Sequence, residues 1–390
     1  MDDALSRRQL LGAGALAAAG WALAGDADAL AGPSLKRLAR EVRGPVLTPR
    51  NSAGLVFNER YAGVRPLAVV VADRPADVQA CVRAAQRGVK ITARSGGHSY
   101  GGYSTAAGGL VVDLRRLDRV SLSGATVTAG PGTHLIELYA QLARRGATVP
   151  GGSCPTVGLG GLALGGGMGL AGRRFGLTSD NITALQIVTA DGRLRRADRK
   201  TNQDLFWACR GGGGGNFGIV TGLQLRAHRV SRAAWFSVVW PWGQASEALD
   251  AWQRFAPHAP ADLTSILTLT RGRVSAAGQF FGSEAQLRKL LRPLTRVSGA
   301  SLSTGTLGYL AMMQRWAGCA GDSLARCDTF SPQPFDAGSD YVGKPLSAAG
   351  RRAAIAQAAS GGGTLLLDSY GGAINKVNPE ATAFVHRDQL

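Results

Sequence analysis

Nine of the nineteen residues from Gly151 to Gly169 are glycine, and Gly211 to Gly215 is an unbroken run. Backbone of this kind bends tightly and lies close against other backbone or a ligand, because no Cβ is in the way. The chain holds 55 glycines in 390 residues, about twice the usual 7%, and the excess is concentrated in these stretches. With 45% apolar residues the rest reads as globular, and the length suffices for two domains with full cores.

Residues 1–30 read as an export signal. Ser6-Arg7-Arg8-Gln9-Leu10-Leu11 is a twin-arginine pattern, followed by an apolar stretch Leu10 to Ala24 and a small-x-small site, Ala27-Asp28-Ala29. The alternative is a membrane anchor, but the stretch is shorter than the roughly 20 residues that span a bilayer. The expectation is Tat export to the periplasm or the outside, with the Tat machinery as a partner and no stable membrane anchor. The net charge of +18 would attract anionic polymers or cell surfaces. No Lys/Arg-rich run with interleaved aromatics accompanies it, so nucleic acid is not expected. The five cysteines are Cys81, Cys154, Cys209, Cys319 and Cys327. An odd number in an exported chain calls for one special thiol. Cys319 and Cys327, in a polar loop, are candidates for a disulfide, and Cys81 falls on the apolar face of a predicted helix. No C-x-x-C pair or His cluster suggests a metal.

From Pro66 to Ser99 the pattern predicts strand, helix, strand, loop. Leu67–Val71 is an apolar run. Pro75 opens a helix carrying Val78, Cys81, Val82 and Ala85, and Gly88 stops it. Val89–Ala93 then runs into the loop Arg94 to Gly102. Leu110–Leu114 is a further strand. A helix from about Thr133 carries Leu135, Leu138 and Leu142 and ends at Gly146. Asp191-Gly192 is a hairpin turn between Ala184–Val188 and Arg193–Arg196. A short helix at Asp204–Ala208 leads to the glycine run, and Ile219–Leu225 is a strand. Near residue 230 the composition shifts to a second α+β region, with Trp235–Trp240, a hairpin from Leu263 to Phe281 and a helix from about Ser283.

The loop Arg94-Ser95-Gly96-Gly97-His98-Ser99 can offer backbone N–H groups to a phosphate. It does not open a helix, so it is not the dinucleotide fingerprint. His98 is a nucleophilic imidazole among glycines; its bland reading is a turn-capping or phosphate-bonding histidine. Cys154 lies in a second glycine turn, Gly151-Gly152-Ser153-Cys154-Pro155-Thr156-Val157-Gly158; its bland reading is a small buried hydrophobe.

Taken together these motifs resemble the berberine bridge enzyme-like oxidases of the vanillyl-alcohol oxidase and p-cresol methylhydroxylase flavoprotein superfamily. The resemblance rests on Arg94 to Ser99, Gly152 to Gly158, Gly165-Gly166-Gly167-x-Gly169, Arg174-Phe175-Gly176-Leu177 with Asp180-Asn181, and Asp204-Leu205-Phe206-Trp207 with Arg210-Gly211-Gly212-Gly213, in that order. It implies an α+β protein: a two-subdomain FAD-binding fold of the p-cresol methylhydroxylase type at 50–230, an antiparallel-sheet substrate domain at 231–367, and the start of a C-terminal return at 368–390.

The same resemblance implies that His98 bonds the flavin 8α-methyl and Cys154 bonds C6. Ser95, Gly96, Gly97, His98 and Ser99 would hold the pyrophosphate beside Arg94. Val157, Gly158, Gly161, Gly165 and Gly169 would line the isoalloxazine and ribityl chain, Ile219 would touch the adenosine side, and Tyr100 would face substrate. The implied reaction oxidises an alcohol or amine carbon of a small molecule, such as a sugar or secondary metabolite, by hydride transfer to FAD with dioxygen as acceptor. A flavin dehydrogenase with another acceptor, or a flavin-binding protein without turnover, are the alternatives. Asp368 to Ala373 and Ala381 to Arg387 resemble the strand pair before the family's C-terminal return. The family then continues into a segment that supplies a tyrosine base. The sequence stops at Leu390 before it, leaving Tyr100 and Tyr370 as the expected substitutes.

Overall fold

Ala68-Val69-Val70-Val71 is four β-branched or small apolar residues in a row, all buried, and it forms the heart of a parallel sheet. The computed structural model describes residues 33–48 and 56–390, so the leader motif lies outside the described residues. The first layer is helix α1 (Pro33–Glu41), strand β1 (Val46–Leu47), β2 (Ala68–Val71), helix α2 (Pro75–Ala85), β3 (Ile91–Arg94) and β4 (Leu110–Asp113). The strand order is β1-β2-β4-β3, with β2 and β3 both parallel to β4 and β1 antiparallel at the edge. Pro75 opens α2, and Val78, Cys81, Val82 and Ala85 pack its inner face onto the sheet.

The second layer comprises β5 (Val120–Ser123), β6 (Thr126–Ala129), helix α3 (Leu135–Ala143), β7 (Ala147–Thr148), helices α4 (Leu159–Leu164) and α5 (Gly172–Phe175), β8 (Ile182–Val188), β9 (Leu194–Asp198), helix α6 (Gln203–Ala208), β10 (Ile219–Arg226) and β11 (His228–Arg229). Five of these strands make an antiparallel sheet in the order β5-β6-β10-β8-β9, and β7 pairs β11. The β8–β9 hairpin turns through Asp191 and Gly192, the latter at φ 75°. Leu135, Leu138 and Leu142 of α3 join Leu159 and Ala163 of α4 in the core over this sheet.

The third layer is β12 (Arg232–Trp240), helix α7 (Ala245–Phe255), β13 (Leu263–Thr270), β14 (Arg273–Phe280), helices α8 (Glu284–Leu290) and α9 (Arg292–Thr295), β15 (Ser301–Gly308), helices α10 (Tyr309–Trp316), α11 (Leu324–Cys327) and α12 (Ala348–Ala359), and β16 (Leu365–Asp368). Its sheet is antiparallel throughout, β15-β12-β14-β13-β16. One face, with Phe236, Val238, Leu267 and Leu269, packs under α7, α8, α9 and α12. Tyr309 and Met313 of α10 belong instead to the core of the second layer, so the chain crosses between the two bodies there.

One expectation fails. Asp368 closes β16, but 369–373 and 381–387 form no strand pair. Gly371 and Gly372 turn left-handed at φ 83° and 62°, and the last residues are held by side chains: Arg387 bonds Asp180 at 2.7 and 2.9 Å in a buried ion pair. Among the described residues no helix is long and apolar enough to cross a membrane, and no group of three or more His, Cys, Asp and Glu could hold a metal ion.

Candidate active site

Strand β3 delivers the loop 94–100, and a buried ion pair anchors its root. The Arg94 guanidinium reaches Asp113 at the end of β4, at 3.2 Å from Nε and 2.8 Å from Nη2. Burial works against the Asp113 charge, yet hydrogen bonds from Arg115 and the charges of Arg94 and Arg115 hold its carboxyl below the usual range. Arg94 therefore anchors the loop, its side chain committed to the buried pair with Asp113. Beyond it Ser95 Oγ donates to Pro131 O, Gly97 turns at φ 74°, and Ser99 Oγ accepts from Tyr103 N at 3.0 Å. Among the described residues, nothing accepts the backbone N–H groups of Ser95, Gly96, Gly97, His98 and Ser99. Such a row of free donors needs an acceptor, and a pyrophosphate is of the right charge.

The second turn packs directly on the first. A Cβ on Gly96 would strike Thr156 O at 2.5 Å, and one on Gly158 would overlap Ser95 Oγ. A Cβ on Gly169 would overlap the Gly151 carbonyl. The α-carbon faces of Gly158 and Gly169, expected against the flavin, are thus taken up by backbone packing. Gly161 and Gly165 differ. Both are exposed, and a Cβ on Gly161 meets nothing within 4 Å. A Cβ on Gly214, from the second glycine run, would lie 3.8 Å from Gly161 Cα. Val157 is half-buried against the core of the second layer. Ile219 is 6% exposed and its side chain packs in the core of the parallel sheet.

His98 sits where the two turns meet. Its ring stacks on Phe57 at 4.1 Å, Phe330 meets its edge, and its Nε2 lies 2.8 Å from Thr156 Oγ1. Burial, assisted by the charge of His134, lowers its pKa to about 4, so the imidazole is neutral. Cys154, two residues before Thr156, is exposed and free. Partial desolvation raises its pKa, while a hydrogen bond with the Ser153 side chain pulls the other way. Tyr100 is 63% exposed and meets Phe335 edge-on at 5.0 Å. Desolvation and the nearby Cys154 raise its pKa.

A strap from 328 to 335 covers His98. It begins at the Cys319–Cys327 disulfide, continues through Asp328, which bonds His134 Nδ1 at 2.7 Å, and brings Phe330 over the ring. It ends with Gln333 hydrogen-bonded to Phe57 and Glu59.

Residues 66–198 match the FAD binding domain family. The chain is 34% identical over 318 residues to an uncharacterised FAD-linked oxidoreductase of Bacillus subtilis, covering 77% of this chain and 68% of that one. It is 32% identical over 360 residues to the chitooligosaccharide oxidase of Gibberella zeae, covering 86% and 72%. The solved structure of Physcomitrella patens berberine bridge enzyme-like 1 superposes with a TM-score of 0.86 at 32% identity, over 91% of this chain and 82% of that one. The chain belongs to the berberine bridge enzyme-like FAD-linked oxidoreductases. Its fold is the p-cresol methylhydroxylase-type FAD-binding fold of that family. Against a second Bacillus subtilis relative the chain spans just 54% of the length.

The residues of this berberine bridge enzyme-like chain fit FAD. The unaccepted N–H groups of 95–99 suit the pyrophosphate, and Gly161 leaves a space that any side chain would fill. An imidazole and an exposed thiol come from two turns in contact. A separate cleft of about 330 Å³ beside Arg199, Arg210 and Glu380 contains none of the expected site residues.

The face of the third-layer sheet opposite its helices supplies a carboxylate that sequence reasoning passed over. Leu367 packs with the helices, so Asp368 points the other way. Its register partner Ile266 packs on the core of the second layer. Desolvation pushes the Asp368 carboxyl up. Two residues on, Tyr370 packs against Met168 of the glycine belt. Tyr370 itself is a poor base: it is 3% exposed, its hydroxyl donates to His386 O at 2.9 Å, and burial pushes its pKa up. Asp368 was flagged as part of a terminal motif and not as an acid–base group, because only the pleat shows which way it faces.

Proposed function

We propose that this oxidoreductase holds FAD through two covalent bonds, from His98 to the 8α-methyl and from Cys154 to C6. With it the enzyme oxidises an alcohol or amine carbon of a small molecule, a carbohydrate alcohol foremost. Bound FAD supplies a two-electron sink that accepts a hydride and passes the electrons to dioxygen as hydrogen peroxide. The observation that carries the reading is that the loop bearing His98 packs against the glycine turn bearing the exposed Cys154. The relatives named chitooligosaccharide oxidase and glucooligosaccharide oxidase support a carbohydrate substrate.

The chain's own residues divide the work. Ser95 to Ser99 orient the cofactor by its pyrophosphate, and the Arg94–Asp113 pair fixes that loop. Asp368 takes the proton from the substrate hydroxyl; its raised pKa brings it closer to the working pH of a general base. Tyr100, beside Cys154, contacts substrate. The twin-arginine leader and the Cys319–Cys327 disulfide support export by Tat to an oxidising compartment.

Intact-mass analysis of denatured protein tests the linkage. An FAD-sized adduct should persist in His98→Ala and in Cys154→Ala and vanish in the double variant; an adduct in the double variant, or none in the parent, would refute it. Under air, a carbohydrate panel should yield peroxide, and Asp368→Asn should lower kcat at least about 100-fold, the low end for a general base. Dye reduction without peroxide would instead identify a dehydrogenase.

A further inference from the structure

We infer that Thr156 is a positioning residue for cofactor attachment, its hydroxyl holding His98 by Nε2 and leaving Nδ1 open to the cofactor. This rests on the His98 linkage proposed above and adds what presents the imidazole.

Thr156 is buried at 2% exposure, and His98 Nε2, at 2.8 Å, is the one hydrogen-bond partner of its hydroxyl among the described residues. Phe57 stacks on the ring at 4.1 Å with planes 19° apart, so the ring cannot tilt freely. Ring plane and Nε2 direction are thereby both fixed, and among the described residues Nδ1 has no partner. The pKa near 4 leaves the ring unprotonated, with one lone pair available. That pair resides on Nδ1 when Nε2 carries the proton and donates it to Thr156 Oγ1.

On attachment the 8α carbon would lose one proton, the bond from Nδ1 to that carbon would form, and the electron pair left behind would reduce the flavin by two electrons. The Nε2 proton would then leave, dioxygen would take up the two electrons and the two released protons as hydrogen peroxide, and the chain would gain the mass of FAD less two hydrogens. Nδ1 acquires positive character as it bonds, and the ring shares that charge with Nε2–H. Its hydrogen bond to Thr156 strengthens at that moment. The hydroxyl thus favours the bonding step over the resting state, and supplies neither proton nor electrons to the balance.

The test uses the full chain in a Cys154→Ala background, so that the imidazole link alone is counted. Protein made under riboflavin limitation is given FAD, and acid-stable flavin per chain is followed over time by mass. Thr156→Val, nearly isosteric, should attach flavin about tenfold more slowly, the factor one hydrogen bond commands. Thr156→Ser should stay within about twofold of the parent, the same estimate with the hydroxyl retained. Non-covalent FAD affinity should be unchanged in both, and Thr156→Val should lose only the stability of one buried hydrogen bond. Attachment by Thr156→Val at the parental rate would overturn the inference, as would Thr156→Ser being as slow as Thr156→Val, which would reduce Thr156 to packing. A Cys154→Ala parent with no acid-stable flavin would overturn the His98 linkage itself, a distinct result.

Discussion

Three histidines set how this protein responds to acid, and they do not all pull the same way. Burial lowers His98 to about 4, with His134 assisting. Burial also lowers His228 to about 4, with the charges of Arg226 and Arg174 assisting. His228 stacks on Phe175 at 4.2 Å and bonds Asn181 Oδ1 at 2.6 Å. In the unfolded chain each titrates near 6.5. Between about pH 6.5 and 4 the unfolded state therefore binds more protons, and stability falls as pH drops through that window. His134 runs the other way. A hydrogen bond donated to Asp328 raises its pKa, so its contribution is present below about pH 6.5 and lost as pH rises through its folded value. The two depressed histidines should therefore lower the melting temperature from pH 6.5 to 4, a window in which the His134 contribution stays present. His228→Gln, outside the cofactor site, should flatten the decline; an unchanged slope in calorimetric scans would refute this assignment. The turns that carry His98 and Cys154 are marked in the sequence by the glycines that flank both. Asp368 is not, since a carboxylate in an ordinary apolar strand carries no local mark.

The glycines of the belt look alike in sequence and do different jobs in the helices and turns they build. Gly161 is inside helix α4, where alanine is better by about 1 kcal/mol. A methyl there meets no protein atom but projects into the cradle. Gly161→Ala should raise the melting temperature of flavin-free protein and lower the flavin it retains. Gly169→Ala should instead cost about 1–3 kcal/mol, because the methyl overlaps the Gly151 carbonyl. Melting curves and the ratio of flavin to protein absorbance separate the two, and matching behaviour would remove the distinction. The sequence pattern located β2, α2, β3 and the β8–β9 hairpin, where apolar runs meet Pro75 and Asp191-Gly192. The strand pair expected at 368–373 and 381–387 is absent beyond Asp368. Apolar residues there, such as Phe384 and Ile374, are buried by contacts with Leu177 and Tyr370 and not by ladder pairing. Local periodicity cannot tell these apart.

At the scale of the molecule, the cradle and the sheet that faces it must be held in register, and one side chain does much of this. Arg173 of α5 follows directly from the glycine belt and is 2% exposed. Among the described residues its guanidinium meets no carboxylate. It donates to Leu263 O at 2.8 Å, Ala259 O at 2.7 Å, Pro257 O at 3.3 Å and Tyr370 O. The first three carbonyls belong to the α7–β13 connection and β13, the fourth to the segment after β16. One cation thus ties the belt to both approaches to the third-layer sheet. Burial lowers its pKa to about 10, which leaves it charged at neutral pH. Methionine at 173 would fill much of the volume and leave four carbonyls without this donor, at roughly 1–3 kcal/mol for each that water cannot reach. Arg173→Met should therefore lose about 3 kcal/mol. The loss should also be uneven. Trp235, Trp240, Trp242, Trp252 and Trp316 lie in or beside the third layer, whereas flavin reports the first two. In denaturant, tryptophan and flavin signals should change together in the parent and separate in Arg173→Met, as a bridge between two cores requires. Coincident transitions at the parental midpoint would mean that the α10 crossing and the Asp180–Arg387 pair hold the bodies together without it.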